Sequence, residues 1–215
     1  MTQPAALCPS CGAPILFHWS SSVQTTCPHC KSILIRTDVN LEKVGVVSDL
    51  PPDSSPIQLG TSGVYENGAF TVAGRIIYDY DEGSWNEWHI VLNAANSAAG
   101  SAWLSDAQSQ YAVTFALQAG PLPALAAVHL GDRFTWNKTA LAVTAITEAR
   151  YRGVEGELPF QYWDKQGATF VDLRSTAGDF ATLDYSDAQP LLYLGKIVDF
   201  DALRLKNLRA FEGWS

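Results

Sequence analysis

Two stretches decide how the chain is built: "LGTSGVYENGAFTVAGRI", Leu59 to Ile76, and "LGDRFTWNKTALAVTAIT", Leu130 to Thr147. In both, Leu-Gly is followed after four residues by an aromatic, Tyr65 or Trp136. A polar turn then leads into a run of alternating apolar residues, "FTVAGRI" or "LAVTAIT". Residues that alternate this way form strands, because successive side chains on a strand point to opposite faces. The two stretches lie 71 positions apart throughout. Self-similarity at one fixed offset predicts a duplicated unit, here two small β-barrel-like (SH3-like) repeats in tandem, residues 59–122 and 128–215.

Further short apolar runs, "EWHIVL", "YAVTFAL" and "ATFVDL", alternate with Gly, Asn and Asp clusters, so the class is mainly β. The loop "SAAGSA" and the segment "GPLPALAA" separate strands and copies. Upstream, "SDLPPDSSPIQ", residues 48–58, reads as a linker. At the other end, Asp201 is placed to cap a short C-terminal helix running to Phe211, with Leu205, Leu208 and Phe211 packed back on the barrel.

All four cysteines lie in residues 1–43. Cys8-Pro-Ser-Cys11-Gly12 and Cys27-Pro-His-Cys30 make the C-x2-C, spacer, C-x2-C pattern of a structural zinc ribbon. Two residues between thiols let the chain turn tightly enough to present both sulfurs to one Zn2+ ion. Pro9 and Pro28 pre-bend the turns, and Gly12 can take a positive φ. "ILFHW" and "VQTT" are expected to form a hairpin between the knuckles, with "SILIR" as a third strand. His29 is either a loop residue or a substitute ligand. Four thiolates close the coordination sphere, so the metal is structural and not catalytic. Phe17, His18 and Trp19 serve either the thin ribbon core or a contact patch.

The net charge is −8. The ribbon region is close to neutral, so the acidic excess sits in the β-rich part. That disfavours nucleic acid, whose phosphates need clustered Lys and Arg. No apolar run reaches membrane-spanning length, so peripheral membrane association would need a partner. With the clustered thiols, the expectation is a cytoplasmic protein.

"GSWNEWHIVL", Gly83 to Leu92, holds the remaining candidates. As a strand it places Trp85, Glu87 and His89 on one face and Trp88, Ile90 and Leu92 on the other, the second set being more core-like. Tyr78 and Tyr80 are the expected neighbours across the hairpin. The polar face allows a hairpin-locking role, a binding role or an acid–base pair. The last lacks converging groups: no nucleophile has a recognisable setting and no phosphate or dinucleotide loop exists. The chain is therefore expected not to be an enzyme.

"GRIIYDYDEGSWNEWHIVL" followed by "AWLS", with "EGELPF", "FATLDYSD" and "LYLG" further on, resembles an uncharacterised bacterial domain family. Its members combine an N-terminal ribbon with this W-x-E-W hairpin. The resemblance covers about Leu59 to Leu208. It marks Trp85, Glu87, Trp88, Trp103 and Leu104 in the first half, and Glu155, Glu157, Leu158, Pro159 and Phe160 in the second. These are candidate binding or inter-repeat contacts. The family implies an association with polyamine metabolism and membrane stress. Two functions follow as expectations: an adaptor that binds another protein, or a binder of a cationic ligand such as a polyamine, held by carboxylates and aromatic faces.

Overall fold

The computed structural model describes residues 5–37, 40–47, 50, 54–93, 100–162 and 167–211. The expected linker lies partly outside these, as does the loop "SAAGSA". The ribbon comprises β1 (Ala5–Leu7), β2 (Pro14–Leu16), β3 (Gln24–Thr26), β4 (Ser32–Arg36) and β5 (Leu41–Val46). Its pairing differs from expectation. β1 pairs β2 and β3 pairs β4, each across its own knuckle, and β5 adds to β4 beyond the Lys43 boundary. The knuckle turns are the cause. The Cys8 amide donates to the Ala13 carbonyl and the Cys27 amide to the Ser32 carbonyl, so flanking residues are already in register. Phe17 is buried in the ribbon core with Ile15 and Leu34.

The first repeat is β6 (Ser62–Tyr65), β7 (Gly68–Tyr80), β8 (Gly83–Leu92), β9 (Ser101–Ala107) and β10 (Gln110–Ala116). The second is β11 (Arg133–Trp136), β12 (Thr139–Gly156), β13 (Gly167–Arg174), β14 (Asp179–Asp184) and β15 (Leu191–Val198). The duplication extends to backbone detail. The Gly60 amide donates to Val72 and the Gly131 amide to Val143, each glycine holding a positive φ of 82° or 87°. Glu66 and Asn137 occupy matching turns at φ 51° and 49°. Register shifts fall at Val72/Gly74 and at Val143/Ala145. Each pair is offset by the same 71 residues read from the sequence.

Each repeat is a meander with its own apolar core. In the first, Phe70, Val72, Trp88, Ile90, Leu104 and Val113 pack together, joined by Ile57 and Leu203. In the second, Leu141, Val143, Val171, Leu173, Ala181, Leu183 and Leu192 do the same. Tandem repeats could have stood apart, but here both edges meet. β10 pairs β15 and β7 pairs β12, so β7, β8, β9, β10, β15, β14, β13 and β12 close into a ring. The strand faces turned away from the two cores therefore enclose a shared lumen.

Two expectations are corrected. No helix runs from Asp201 to Phe211: one 3-10 turn, Asp201–Leu203, ends at Arg204, whose φ is 48°. The chain then runs along the open edge of β6, where Ser62 and Lys206 exchange backbone hydrogen bonds. Satisfying that edge competes with continuing a helix. The end of the expected linker is not free, since Ile57 is wholly buried and Ser55 donates to Asp106.

Glycines sit at both seams. A Cβ on Gly195 would overlap the Val113 carbonyl oxygen of β10, and one on Gly74 would overlap the Glu157 carbonyl oxygen. Gly195→Ala is thus expected to destabilise the fold by about 2 kcal/mol or more through overpacking. Urea unfolding monitored by far-UV circular dichroism reads this; an unchanged midpoint would contradict so close an approach at the seam.

Candidate functional site

The lumen comprises two chambers, of about 160 and 40 Å3, both bordered by Glu87, Ser105, Phe170 and Thr182. Their walls draw on all the ring strands, because period-two alternation turns every second residue inward. Tyr80, Trp85, Asp172, Arg174 and Phe180 line the outer chamber. Tyr78, Trp103, Phe160, Tyr162, Asp184 and Tyr193 line the inner one.

Glu87 lies where the chambers meet. Ser105 donates to both of its carboxylate oxygens at 2.9 and 2.7 Å, and the Trp85 indole N–H donates at 3.0 Å. Burial pushes the Glu87 carboxyl up to about 8; the nearby Asp172 and Asp184 charges add to the rise, while the Ser105 and Trp85 hydrogen bonds oppose it. Asp172 is also raised by burial, with Thr182 donating to it at 2.9 Å. Tyr78 stacks on Trp85 at 4.9 Å, as the hairpin reading anticipates, and Phe170 meets Trp85 edge-on at 5.5 Å. The Tyr78 hydroxyl donates to that of Tyr162 at 2.6 Å.

The inner end is shut by aromatic rings. Phe160 and Trp103 lie 5.7 Å apart, Trp103 and His89 5.4 Å, and His89 and Trp19 of the ribbon 5.0 Å. His89 is fully buried and faces the Glu157 carbonyl through Nδ1 at 2.8 Å. Burial pushes its pKa down to about 4, so the ring is neutral and Nδ1 carries the proton donated to that carbonyl. Its Nε2 has no hydrogen-bond partner among the described residues. Glu87 and His89 share a strand face, yet no hydrogen bond joins them, and each is held by other partners.

"EGELPF" is the ribbon's dock. The buried Glu157 carboxylate accepts from the His18 amide at 2.7 Å, the Trp19 amide at 3.1 Å, and His18 Nδ1 at 2.9 Å. Gln24 and Leu158 exchange backbone hydrogen bonds, and Gln24 bonds the Tyr162 backbone through both ends of its amide. Glu155 instead pairs with the buried Arg75 at 3.2 Å. Trp88 is wholly buried in the first repeat's core, 4.7 Å from the Arg75 guanidinium.

Cys8, Cys11, Cys27 and Cys30 place their sulfurs within 4.8 Å of one another. Cys8–Cys30 and Cys11–Cys27 are both 3.7 Å. A tetrahedron with metal–sulfur bonds of about 2.3 Å has edges of roughly 3.8 Å, so the four thiolates could hold a metal ion. They form the only such group among the described residues.

The sequence singled out Trp85, Glu87, Trp103 and Phe160, and the structure gathers these four around the lumen. It did not single out Asp172, Arg174, Asp184 or Tyr193. The signal was present as alternation, Phe170-Val-Asp172-Leu-Arg174 and Phe180-Ala-Thr182-Leu-Asp184. A polar lumen face and a solvent face share that pattern.

Two outcomes follow. Because the folded Glu87 carboxyl is raised above its usual range near 4.5, its contribution favours the fold below that range and is lost as pH rises through about 8. The melting temperature of Glu87→Gln relative to wild type should therefore rise between about pH 5 and pH 9, as read by differential scanning calorimetry. Chelation of a ribbon-bound ion, or Cys27→Ser, should strip hydrogen-exchange protection from Gln24 and Leu158 and leave β13 and β14 protected.

No helix among the described residues is long and apolar enough to cross a membrane. Neither a curated protein nor a solved structure matches the chain. A family model does match, over residues 58–200, which spans both repeats and the whole closed ring. The chain belongs to that family, the domain of unknown function DUF4178.

Proposed function

We propose that the chain is a non-catalytic binding protein whose lumen takes a small organic ammonium compound and whose ribbon is held together by zinc. One observation carries the ligand reading. Glu87, Asp172 and Asp184 line a lumen walled by Trp, Tyr and Phe rings, and no basic side chain among the described residues lines the inner chamber. Burying carboxylates is costly, and an ammonium group among them relieves that cost while gaining cation–π contacts. The three carboxylates do not converge as a metal site would. This favours a ligand with an organic cation over an inorganic ion.

The positions of the candidate residues also weigh against the adaptor reading. Trp85 and Glu87 face the lumen, Trp88 is core, and Glu157, Leu158 and Tyr162 are buried where the ribbon docks. Polyamines belong to the ligand class that this lumen suits. Turnover has no support in the geometry, since Glu87 and His89 do not act on each other and the thiolates face one another in the ribbon.

At about pH 7, Glu87 is mostly protonated in the empty lumen, whereas an ammonium ligand favours its ionised form. Amine binding should therefore release protons, and affinity should strengthen toward about tenfold per pH unit between about pH 6 and pH 8. Titration calorimetry with linear alkylamines, in buffers of different ionisation enthalpy, measures both. Glu87→Gln should abolish the proton release. Absence of saturable heat with every amine would sink the ligand reading.

A further inference from the structure

The charged lining differs between the two chambers. The inner chamber carries Glu87 and Asp184, while the outer one shares Glu87 and adds Asp172 and Arg174, the only basic side chain among the described residues lining either chamber. The direct contacts of Arg174 are with neutral groups, while its charge acts on Asp172 and opposes the rise that burial gives that carboxyl. Its Nη2 donates to the Gln110 side-chain oxygen at 2.9 Å, and its guanidinium lies 5.8 Å from the Phe180 ring centre. It has no carboxylate within ion-pair distance, 4.0 Å, among the described residues. A guanidinium offers five N–H donors in a planar fork, and one contact with Gln110 leaves the rest available. Fixed by an amide and an aromatic face, it is pre-organised to receive a planar oxyanion in two-point fashion.

We propose that the lumen selects a ligand bearing both an ammonium and a carboxylate, amine end inward, with Arg174 at the outer chamber holding the carboxylate. The inference rests on the amine-binding reading and sharpens it. A diamine would place its second cation beside the Arg174 guanidinium, where like charges repel. An ω-amino acid of the same length places a carboxylate there instead. Arg174 is thus the specificity-determining residue, and Glu87 and Asp184 serve the amine that both ligand classes share.

The test is titration calorimetry at low salt on the full, metal-loaded chain. Two matched pairs serve as probes: 4-aminobutanoate with 1,4-diaminobutane, and 6-aminohexanoate with 1,6-diaminohexane. In wild type, at least one amino acid should bind about tenfold or more tighter than its diamine, the scale of one charged hydrogen-bonding contact. Arg174→Gln should remove that advantage, weakening the amino acid while leaving the diamine as tight or tighter. Thermal unfolding confirms that the variant is folded. Diamines binding as tightly as the amino acids in wild type, or a preference unchanged by Arg174→Gln, overturns the assignment and leaves the amine site standing. If Arg174→Gln loses stability that Asp172→Asn restores, with the preference unchanged, Arg174 only offsets Asp172 and the proposal is overturned. If none of the four probes binds, the amine-site reading falls and takes this inference with it.

Discussion

The pairing of β10 with β15 and of β7 with β12 is the constraint on which the rest depends. Each repeat is an open meander, and an open meander has two edges with unpaired amides and carbonyls. Joining equivalent strands of the two copies closes the ring and leaves only the short β6 and β11 outside it. Close approach there needs Gly195 at one seam and Gly74 with Gly156 at the other, since side chains would strike the facing backbone. Once the ring closes, the outward-turned faces of the two meanders become the walls of an interior.

That closure explains the chemistry inside. A strand with one face in a repeat core and the other on a lumen buries both. The core faces are apolar in the usual way. The lumen faces are aromatic and acidic, so burial raises the Glu87 and Asp172 carboxyls together. Such an arrangement is expensive for an empty interior and natural for one that receives a cation. The outer chamber differs by holding a cation, Arg174, whose direct contacts with Gln110 and Phe180 are neutral and whose charge acts on Asp172.

The ribbon is tied into the same design. Its Trp19 continues the aromatic column that floors the lumen, and Glu157 binds its chain through both carboxylate oxygens. An ion on the four thiolates would order the very loop that meets the ring, because His18 and Trp19 lie between the two cysteine pairs. Folding energy from such an ion would thereby be connected to how firmly the lumen is closed.

By itself the sequence determined the mainly β class, the duplication at its true offset, the cysteine quartet, the Trp85/Glu87 face and its nearness to Tyr78. These are local properties, written in alternation, spacing and turn chemistry. Tertiary structure alone decided that the repeats share one ring, that "EGELPF" receives the ribbon, and that the residues around Lys206 line an edge instead of forming a helix. It alone brought Asp172, Arg174 and Asp184 to Glu87. The physical reason is that strand alternation records which residues share a face but not what that face meets. Water and a closed polar lumen ask for the same residue types, and only the long-range pairing of edges distinguishes them.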